Sequence, residues 1–144
     1  MKAAVIQGGI HEDSRGILRY VNEENPGNYR RFYIITHPDT NTVRAWQGHK
    51  IEEKAFYVIT GSFIIAIVNP ANFEQPSENE KPDLYKLTDE NHSYLRVPGG
   101  NYTGIKALTS GATLLVLSSL DVTDSKKDDF RQPLEKWVDW DTIK

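Results

Sequence analysis

The densest group of polar side chains lies between residues 43 and 54, where one apolar segment ends and the next begins. The imidazole of His49 titrates near neutral pH, so it can remove a proton from a substrate. Arg44 and Lys54 can stabilise a developing negative charge. Gln47 can donate a hydrogen bond but cannot take up a proton at neutral pH. These residue types point to proton transfer next to an anionic centre.

The spacing along an extended chain decides which of these side chains share a face. Residues 47 and 49 have the same parity, so both point to one side of a strand. Arg44 has the opposite parity and joins them only if a β-bulge intervenes, for which Ala45 or Gly48 is the candidate position. The sequence therefore predicts a polar face with Gln47 and His49, to which a bulge would add Arg44.

Short apolar segments of strand length recur along the chain, separated by turn residues. They are rich in Val, Ile, Tyr, Phe and Thr, the residue types that favour strands. The segments are Ile17–Val21, Phe32–Thr36, Thr42–Trp46, Ala55–Thr60, Phe63–Val68, Tyr94–Val97, Gly104–Leu108 and Thr113–Ser118. Many short strands without helical patterns between them predict an all-β sandwich or barrel.

The pair Gly61-Ser62 separates two of these segments and predicts a tight hairpin, because glycine readily adopts a positive φ. Both flanking segments are apolar on both faces, so we expect another sheet or a second subunit to cover the second face. Residues 69–83 contain Pro70, Pro76 and Pro82, which predicts a surface loop.

The tail after Ser119 is strongly charged but contains well-spaced apolar anchors. Leu134, Trp137 and Val138 lie at helical spacing within it. We therefore predict a short C-terminal helix packed on the barrel.

The bulk properties restrict the class of protein. The chain has 144 residues and a net charge of −3, with a pI of about 5.8. This length predicts a single domain over residues 1–144, and the acidic balance argues against nucleic-acid binding. Cysteine is absent, so neither a disulfide nor a thiolate nucleophile is possible. No signal peptide and no membrane span is recognisable, which predicts a cytoplasmic protein.

Two stretches resemble the motifs of the cupins, whose fold is a double-stranded β-helix or jelly roll. Gln47, His49 and Glu53 stand where the first cupin motif has His-x-His and a metal-binding Glu. Pro98–Thr103 resembles the second motif, Pro-x-Gly-x-x-His, with Thr103 in the position of the histidine. Two of the three usual imidazoles are replaced, and imidazole is the main neutral ligand of such a metal site. We therefore predict a cupin barrel without a catalytic metal.

Three further stretches resemble the sugar-nucleotide branch of the cupins. This branch comprises the dTDP-4-keto-sugar 3,5-epimerases and, closer in sequence, the 3,4-ketoisomerases. Asp13–Leu18 is similar to Asp-x-Arg-Gly-x-Leu, Arg30–Ile35 to Lys-Arg-Val-Tyr-Tyr-Ile, and Arg44–Lys50 to Arg-Gly-x-His-Ala-His-Lys. With the Pro98–Gly104 turn, the resemblance extends over residues 11–120.

The resemblance implies catalytic roles for three residues. His49 is in the position of the second histidine of the ketoisomerase motif, which makes it the candidate base. Lys54 is in the position of the epimerase lysine. Tyr102 lies near the substrate turn and would donate a proton. Gln47 replaces the first histidine of the motif, so a pair of imidazoles is not available.

The resemblance also implies how the substrate would be held. Arg15 would contact the nucleotide diphosphate, and Arg44 the sugar or a phosphate, in the bidentate manner that guanidinium groups favour. Tyr33 and Trp46 are the candidates for stacking on the base, and Gln47 would contribute a hydrogen bond. A homodimer is implied as well, with the N-terminal segment of one subunit completing the pocket of the other.

These features together predict a metal-independent isomerase or epimerase of a dTDP-linked 4-keto-6-deoxy sugar, without a cofactor, in polysaccharide or deoxysugar biosynthesis. A nucleotide-sugar is the expected partner, and neither nucleic acid nor a membrane is. Two alternatives stay open: a cupin that binds a sugar nucleotide without catalysis, and a degenerate metal cupin that uses His49 and Glu53.

Overall fold

The computed structural model describes residues 1–144 and contains two five-stranded antiparallel sheets. The strands are β1 (Ala4–Gln7), β2 (Gly9–Asp13), β3 (Gly16–Tyr20), β4 (Arg31–Thr36), β5 (Val43–His49), β6 (Lys54–Thr60), β7 (Ser62–Val68), β8 (Asp83–Thr88), β9 (Ser93–Val97), β10 (Asn101–Ala107), β11 (Thr113–Ser118) and β12 (Phe130–Arg131). Three short helical segments complete the chain: an α-helix, α1 (Val122–Lys127), and single 3₁₀ turns at Pro26–Asn28 and Trp140–Thr142.

The two sheets face each other as a jelly roll. The first sheet has the strand order β1-β9-β6-β11-β4 and the second β12-β5-β10-β7-β8, while β2 and β3 pair only with each other. Thirteen buried apolar side chains fill the space between the sheets, among them Phe56, Phe63, Ile65, Leu95 and Leu114. The all-β jelly roll predicted from the sequence is confirmed.

The turn at Gly61 joins the two sheets. β6 pairs with β9 and β11, whereas β7 pairs with β8 and β10, so the predicted β6–β7 hairpin is wrong. Gly61 has a φ of +81°, and a Cβ atom there would lie 2.4 Å from Oγ1 of Thr109. Glycine is thus required at this corner, and β7 is apolar on both faces because the core packs on one side of it and the second apolar cluster, which includes the tail, on the other.

The C-terminal tail covers the outer face of the second sheet. Trp46 and Tyr102 point to this face and pack in a second apolar cluster with Trp140 and Ile143 from the tail. The short helix lies earlier than predicted, at Val122–Lys127, where the side chain of Asp121 caps its first turn. Residues 134–138 form no helix, and Trp137 there has a left-handed φ of 72°.

No helix in the structure has the length and apolar character needed to cross a membrane.

Candidate functional site

A cavity of about 450 Å³ opens between the two sheets. Its lining combines aromatic and aliphatic side chains with polar groups from β5, β6, β10 and β12: Tyr33, Ile35, Val43, Arg44, Ala45, Gln47, Lys54, Phe56, Thr103, Ile105 and Arg131. The lining includes three cationic side chains and no carboxylate. A concave, partly apolar pocket with this charge suits an anionic ligand that also carries an apolar part.

A β-bulge in β5 brings Arg44 into this cavity. Thr103 pairs with Gln47 and Ile105 with Arg44, so two residues of β5 stand opposite one residue of β10. The extra residue changes the parity of β5, and Arg44 and Gln47 therefore lie on the same face. This is the arrangement that the sequence required for Arg44 to join the polar face.

Lys54 lies at the floor of the cavity, at the first position of β6. Its Nζ donates a hydrogen bond to Oε1 of Gln47 at 3.2 Å and lies 3.7 Å from Oε2 of Glu52. The ammonium also lies 5.8 Å from the centre of the Tyr33 ring. These contacts hold one positive charge between the cavity and a buried polar cluster that contains His49 and Glu52.

His49 belongs to this buried cluster and does not line the cavity. The residue is only 5% exposed. Its Nδ1 lies 2.6 Å from the carbonyl oxygen of Asp128, which can only accept, so Nδ1 carries the proton. Nε2 lies 3.1 Å from Oε2 of Glu52. Burial, and then the charge of Lys54, lower the pKa of His49 despite the opposing effect of Glu52, which favours a neutral ring with a basic Nε2.

Glu52 connects His49 to Lys54. Its Oε1 accepts hydrogen bonds from Ser118 Oγ at 2.7 Å and from Arg31 Nη2 at 3.4 Å. Burial favours the neutral acid, but the hydrogen bond from Ser118, the contact with the His49 ring and the charge of Lys54 outweigh it and keep the pKa of Glu52 below its usual range. Glu52 is therefore an ionised, buried carboxylate whose Oε2 lies near the ammonium of Lys54 and can share one proton with Nε2 of His49.

The resemblance to the first cupin motif pointed to the neighbouring Glu53 in place of Glu52. In the structure Glu53 Oε2 accepts a hydrogen bond from the Tyr29 hydroxyl at 3.0 Å. Glu52 instead contacts Nε2 of His49, three residues away. Only the local turn of the chain after β5 distinguishes the two glutamates, and the sequence pattern did not determine that turn.

Asp128 holds the loop that carries these residues. Its Oδ1 accepts a hydrogen bond from the backbone N–H of Lys50 at 2.8 Å. Its Oδ2 accepts from those of Ile51 at 2.9 Å and Glu52 at 2.7 Å. Because its carbonyl also binds the His49 ring, one residue of the tail fixes both members of the His49–Glu52 pair. No motif or spacing in the sequence points to Asp128 as a site residue.

Trp46 and Tyr102 lie on the wrong face of the second sheet for the roles expected of them. Trp46 is fully buried, and its Nε1–H donates to the carbonyl of Lys136 at 2.8 Å. The Tyr102 hydroxyl donates to the carbonyl of Phe73 at 2.9 Å, and the two rings stack. Stacking on a base and proton donation from Tyr102 do not fit this placement, since both side chains pack under the tail.

Arg15 also lies apart from the cavity of its own chain. It is located in the turn between β2 and β3, where its guanidinium binds Asp13 at 2.7 Å and its side chain is 86% exposed. Of the eight predicted site residues, the structure thus brings Tyr33, Arg44, Gln47 and Lys54 together at the cavity, with His49 directly behind them.

The donor set does not fit a metal centre. The cupin ligand positions hold Gln47, His49 and Thr103, and the Nε2 of His49 faces Glu52. Glu53 binds Tyr29, and no group of three or more metal-ligating His, Cys, Asp or Glu side chains occurs. The residues present therefore do not fit a metal, because His49 and Glu53, the two donors of a degenerate metal cupin, are engaged by Glu52 and Tyr29.

The jelly roll with its cavity is similar to several solved structures. The sugar 3,4-ketoisomerase QdtA from Thermoanaerobacterium thermosaccharolyticum, solved in complex with TDP, has a TM-score of 0.73 and 22% identity over 91% of this chain and 88% of that chain. The RmlC epimerase of Mycobacterium tuberculosis has a TM-score of 0.78 and 19% identity, covering 96% of this chain and 74% of that one. A dTDP sugar isomerase from Desulfovibrio desulfuricans has a TM-score of 0.81 and 15% identity, covering 99% and 92%.

No protein-family model matches the sequence, and no curated protein matches it. At these identities the structural similarity establishes the fold.

Proposed function

We propose that the protein isomerises or epimerises a dTDP-linked 4-keto-6-deoxy sugar by moving a proton at a carbon next to the ketone. The observation that carries this proposal is the cationic cavity, in which the bulge in β5 places Arg44 beside Gln47 and Lys54. Structures with this fold include a ketoisomerase in complex with TDP and an epimerase with TDP and pyrophosphate bound.

The charges of the cavity support binding of a diphosphate. Arg44 and Arg131 both line it, and guanidinium groups bind phosphate oxygens in a bidentate manner. The Tyr33 ring, with Arg31 5.1 Å from its centre, offers an aromatic surface for the base or the sugar. The cavity lining thus supplies contacts for both parts of a sugar nucleotide.

The buried cluster supplies the proton chemistry. We infer that Lys54 passes a proton to His49 Nε2 through Oε2 of Glu52, which lies 3.7 Å from the Lys54 nitrogen and 3.1 Å from the ring nitrogen. The free amine of Lys54 then removes the proton from the carbon next to the ketone. Arg44 and the Gln47 amide stabilise the enolate oxygen, and Lys54 returns the proton on the other carbon or the other face. One proton leaves the substrate and one returns, so the reaction needs no oxidant or cofactor.

Incubation with dTDP-4-keto-6-deoxyglucose in deuterated water tests this proposal. We expect deuterium at C3, at C5 or at both, together with a new sugar, detected by NMR. No deuterium and no new sugar would contradict the proposal.

The second candidate function is a protein that binds a sugar nucleotide without converting it. Two observations favour it: Gln47 occupies the position of a motif histidine, and His49 Nε2 faces Glu52 instead of the cavity. Calorimetry that shows dTDP binding, combined with zero deuterium exchange, would select this function.

We further propose a homodimer in which the β2–β3 hairpin of one subunit covers the first sheet of the other. The outer face of β4 exposes Phe32 and Ile34, which are 66% and 55% exposed, and the hairpin exposes Ile17 and Leu18. β4 pairs on one edge only, and β2 and β3 pair only with each other. Such a dimer would bring Arg15 of one subunit towards the cavity of the other.

The substrate class also suggests where the protein works. We propose a cytoplasmic enzyme of deoxysugar or polysaccharide biosynthesis, in which the chain without cysteine is compatible with a reducing compartment.

A further inference from the structure

We propose that His37 is a positioning residue that holds Arg44 at the cavity wall through an unprotonated ring nitrogen, so that affinity for an anionic sugar nucleotide falls on acidification. This inference rests on the proposed function, because it assigns Arg44 to the ligand. It also makes a prediction for the free protein, which can be tested without any ligand.

The His37 ring is fixed in place directly after β4. The residue is fully buried. Its backbone N–H donates to the carbonyl of Ala112, and its own carbonyl accepts from the N–H of Gly111, both at 3.0 Å. The ring meets the Phe63 ring edge-on, with 5.5 Å between the centroids. The two bonds fix the backbone of His37, and burial together with the contact to Phe63 leaves its ring little freedom to follow a moving partner.

The partner of this ring is Arg44. The Nε–H of Arg44 donates to Nε2 of His37 at 3.2 Å. Because an N–H donor needs an acceptor, Nε2 must carry a lone pair. The bond uses the inner edge of the guanidinium and leaves the two terminal nitrogens of Arg44 for a ligand. An arginine fixed before binding loses less side-chain entropy when the ligand arrives, which is the benefit we assign to His37.

The surroundings of His37 keep the ring neutral. The charged groups that act on it are Arg44 from β5 and Asp39 from the following loop, while β7 contributes only the apolar ring of Phe63. Burial and then the charge of Arg44 lower the pKa of His37, and Asp39 and the backbone of Thr42 oppose this only in part. The acceptor is therefore fully present at pH 7 and above. It is lost as the pH falls through the lowered pKa, because a protonated Nε2 repels the guanidinium.

Calorimetry with dTDP-glucose at pH 7.5 and at pH 5.0 measures this effect. This probe has no ketone to react, and its diphosphate diester stays ionised at both pH values. For the wild type we expect affinity to fall at least about fivefold at pH 5.0, in line with the loss of one hydrogen bond to a charged group. His37→Gln keeps an acceptor that does not titrate and should bind with the same affinity at both pH values.

His37→Leu removes the acceptor and should bind about fivefold more weakly than the wild type at pH 7.5. His92→Asn is the matched control, because His92 lies in the β8–β9 turn outside the cavity lining. This control should keep the pH dependence of the wild type. Equal pH dependence in wild type and His37→Gln, or unchanged affinity in His37→Leu, would overturn the proposal.

NMR of the free protein separates this inference from the proposed function. We expect a slowly exchanging Nε–H signal of Arg44 at pH 7.5 in the wild type and in His37→Gln, and its loss at the same pH in His37→Leu. If dTDP-glucose does not bind the wild type at either pH but this signal behaves as expected, the proposed function fails and the contact stands. If the signal exchanges equally fast in all three proteins at pH 7.5, the inference fails. Should His37→Leu not fold, the pH dependence of dTDP-glucose affinity in the wild type and in His37→Gln still tests the inference.

Discussion

Lys54 is the residue through which the buried acid–base pair reaches the cavity. Its ammonium lies beside Gln47 on the cavity side and beside Glu52 on the buried side, and His49 stands behind Glu52. A proton entering or leaving this cluster from the substrate side must pass Lys54. The chemistry therefore depends on this one nitrogen more than on the imidazole itself.

Replacement of Lys54 by Met should reduce deuterium exchange into dTDP-4-keto-6-deoxyglucose by at least about 100-fold, the usual contribution of a positioned acid or base. The methionine fills the same space but can neither carry nor stabilise charge. Lys50→Met is the control, since Lys50 is exposed and pairs with Glu74. Equal loss in both variants would contradict the role of Lys54.

The pH dependence of exchange should reveal His49. Burial and Lys54 lower the pKa of His49 below its ordinary value of 6.5, so the ring stays a free base until the pH falls well below neutral. We expect the wild-type rate to be constant from pH 8 to pH 6.5 and to fall at lower pH. His49→Asn should be slow throughout and lack this fall, because it cannot accept the proton from Lys54. A variant that keeps the wild-type profile would exclude His49 from the relay.

Gln47→His should increase the exchange rate. The amide of Gln47 lies 3.5 Å from Oδ1 of Asp129 and 3.2 Å from the Lys54 nitrogen. An imidazole at this position would therefore have a carboxylate partner and face the substrate directly, and we expect a gain of about tenfold or more. An unchanged rate in a variant that still binds dTDP would show that a base at this position cannot reach the substrate.

Among the secondary-structure elements, the tail after α1 contributes most to the site. It supplies Asp128 to the loop after β5, Arg131 to the cavity wall and Trp140 to the second apolar cluster on the outer face of the second sheet. The tail therefore helps to form the site itself.

Asp128→Ala should destabilise the protein by about 2–4 kcal/mol, because three backbone N–H groups lose a charged acceptor. It should also abolish exchange, since the loop holding Glu52 is released. Thermal unfolding and the exchange assay measure the two effects. Asp141→Ala, an exposed aspartate of the same tail, should change neither. An Asp128 variant with wild-type stability would refute the role of the tail.

The sequence predicted where the strands lie better than it predicted which strands pair with each other. Alternation and composition located eight strands, and parity arguments identified the bulge that Arg44 needed. They missed β1, β2, β8 and β12, which are short or largely polar, and they gave the bulge only as a condition for Arg44 to reach the polar face. Turn chemistry suggested a β6–β7 hairpin, but a glycine with positive φ also permits a corner between sheets, and only the packing of both strands decides between them.

The candidate site was predicted in part for similar reasons. Tyr102 and Thr103 are neighbours, so an error of one residue in the register of β10 exchanges the cavity face for the outer face. Trp46 precedes Gln47 directly, so plain alternation already places it on the opposite face, and its stacking role came only from the resemblance. Asp128 contacts His49 across 79 residues of sequence, and no local spacing indicates such a contact.

At the scale of the whole molecule, the exposed apolar face of β4 and the free hairpin predict a dimer. Phe32→Ser combined with Ile34→Ser should give a monomer, because it removes apolar surface from the proposed interface. Sedimentation velocity measures the change. Leu84→Ser, at a similarly exposed position on β8 of the other sheet, should leave the dimer intact. A wild-type protein that sediments as a monomer would exclude this arrangement.

Deuterium wash-in tests the central claim, which is that the cationic cavity moves a proton at the carbon next to a ketone. The wild-type protein and dTDP-4-keto-6-deoxyglucose are mixed in deuterated water at pH 7.5, and the C3 and C5 proton signals are followed by NMR. We predict that at least one signal disappears at a rate proportional to protein concentration, and that Lys54→Met abolishes this loss. If both signals persist at the rate seen without protein while dTDP still binds, the chain is a binding protein and the catalytic account is wrong.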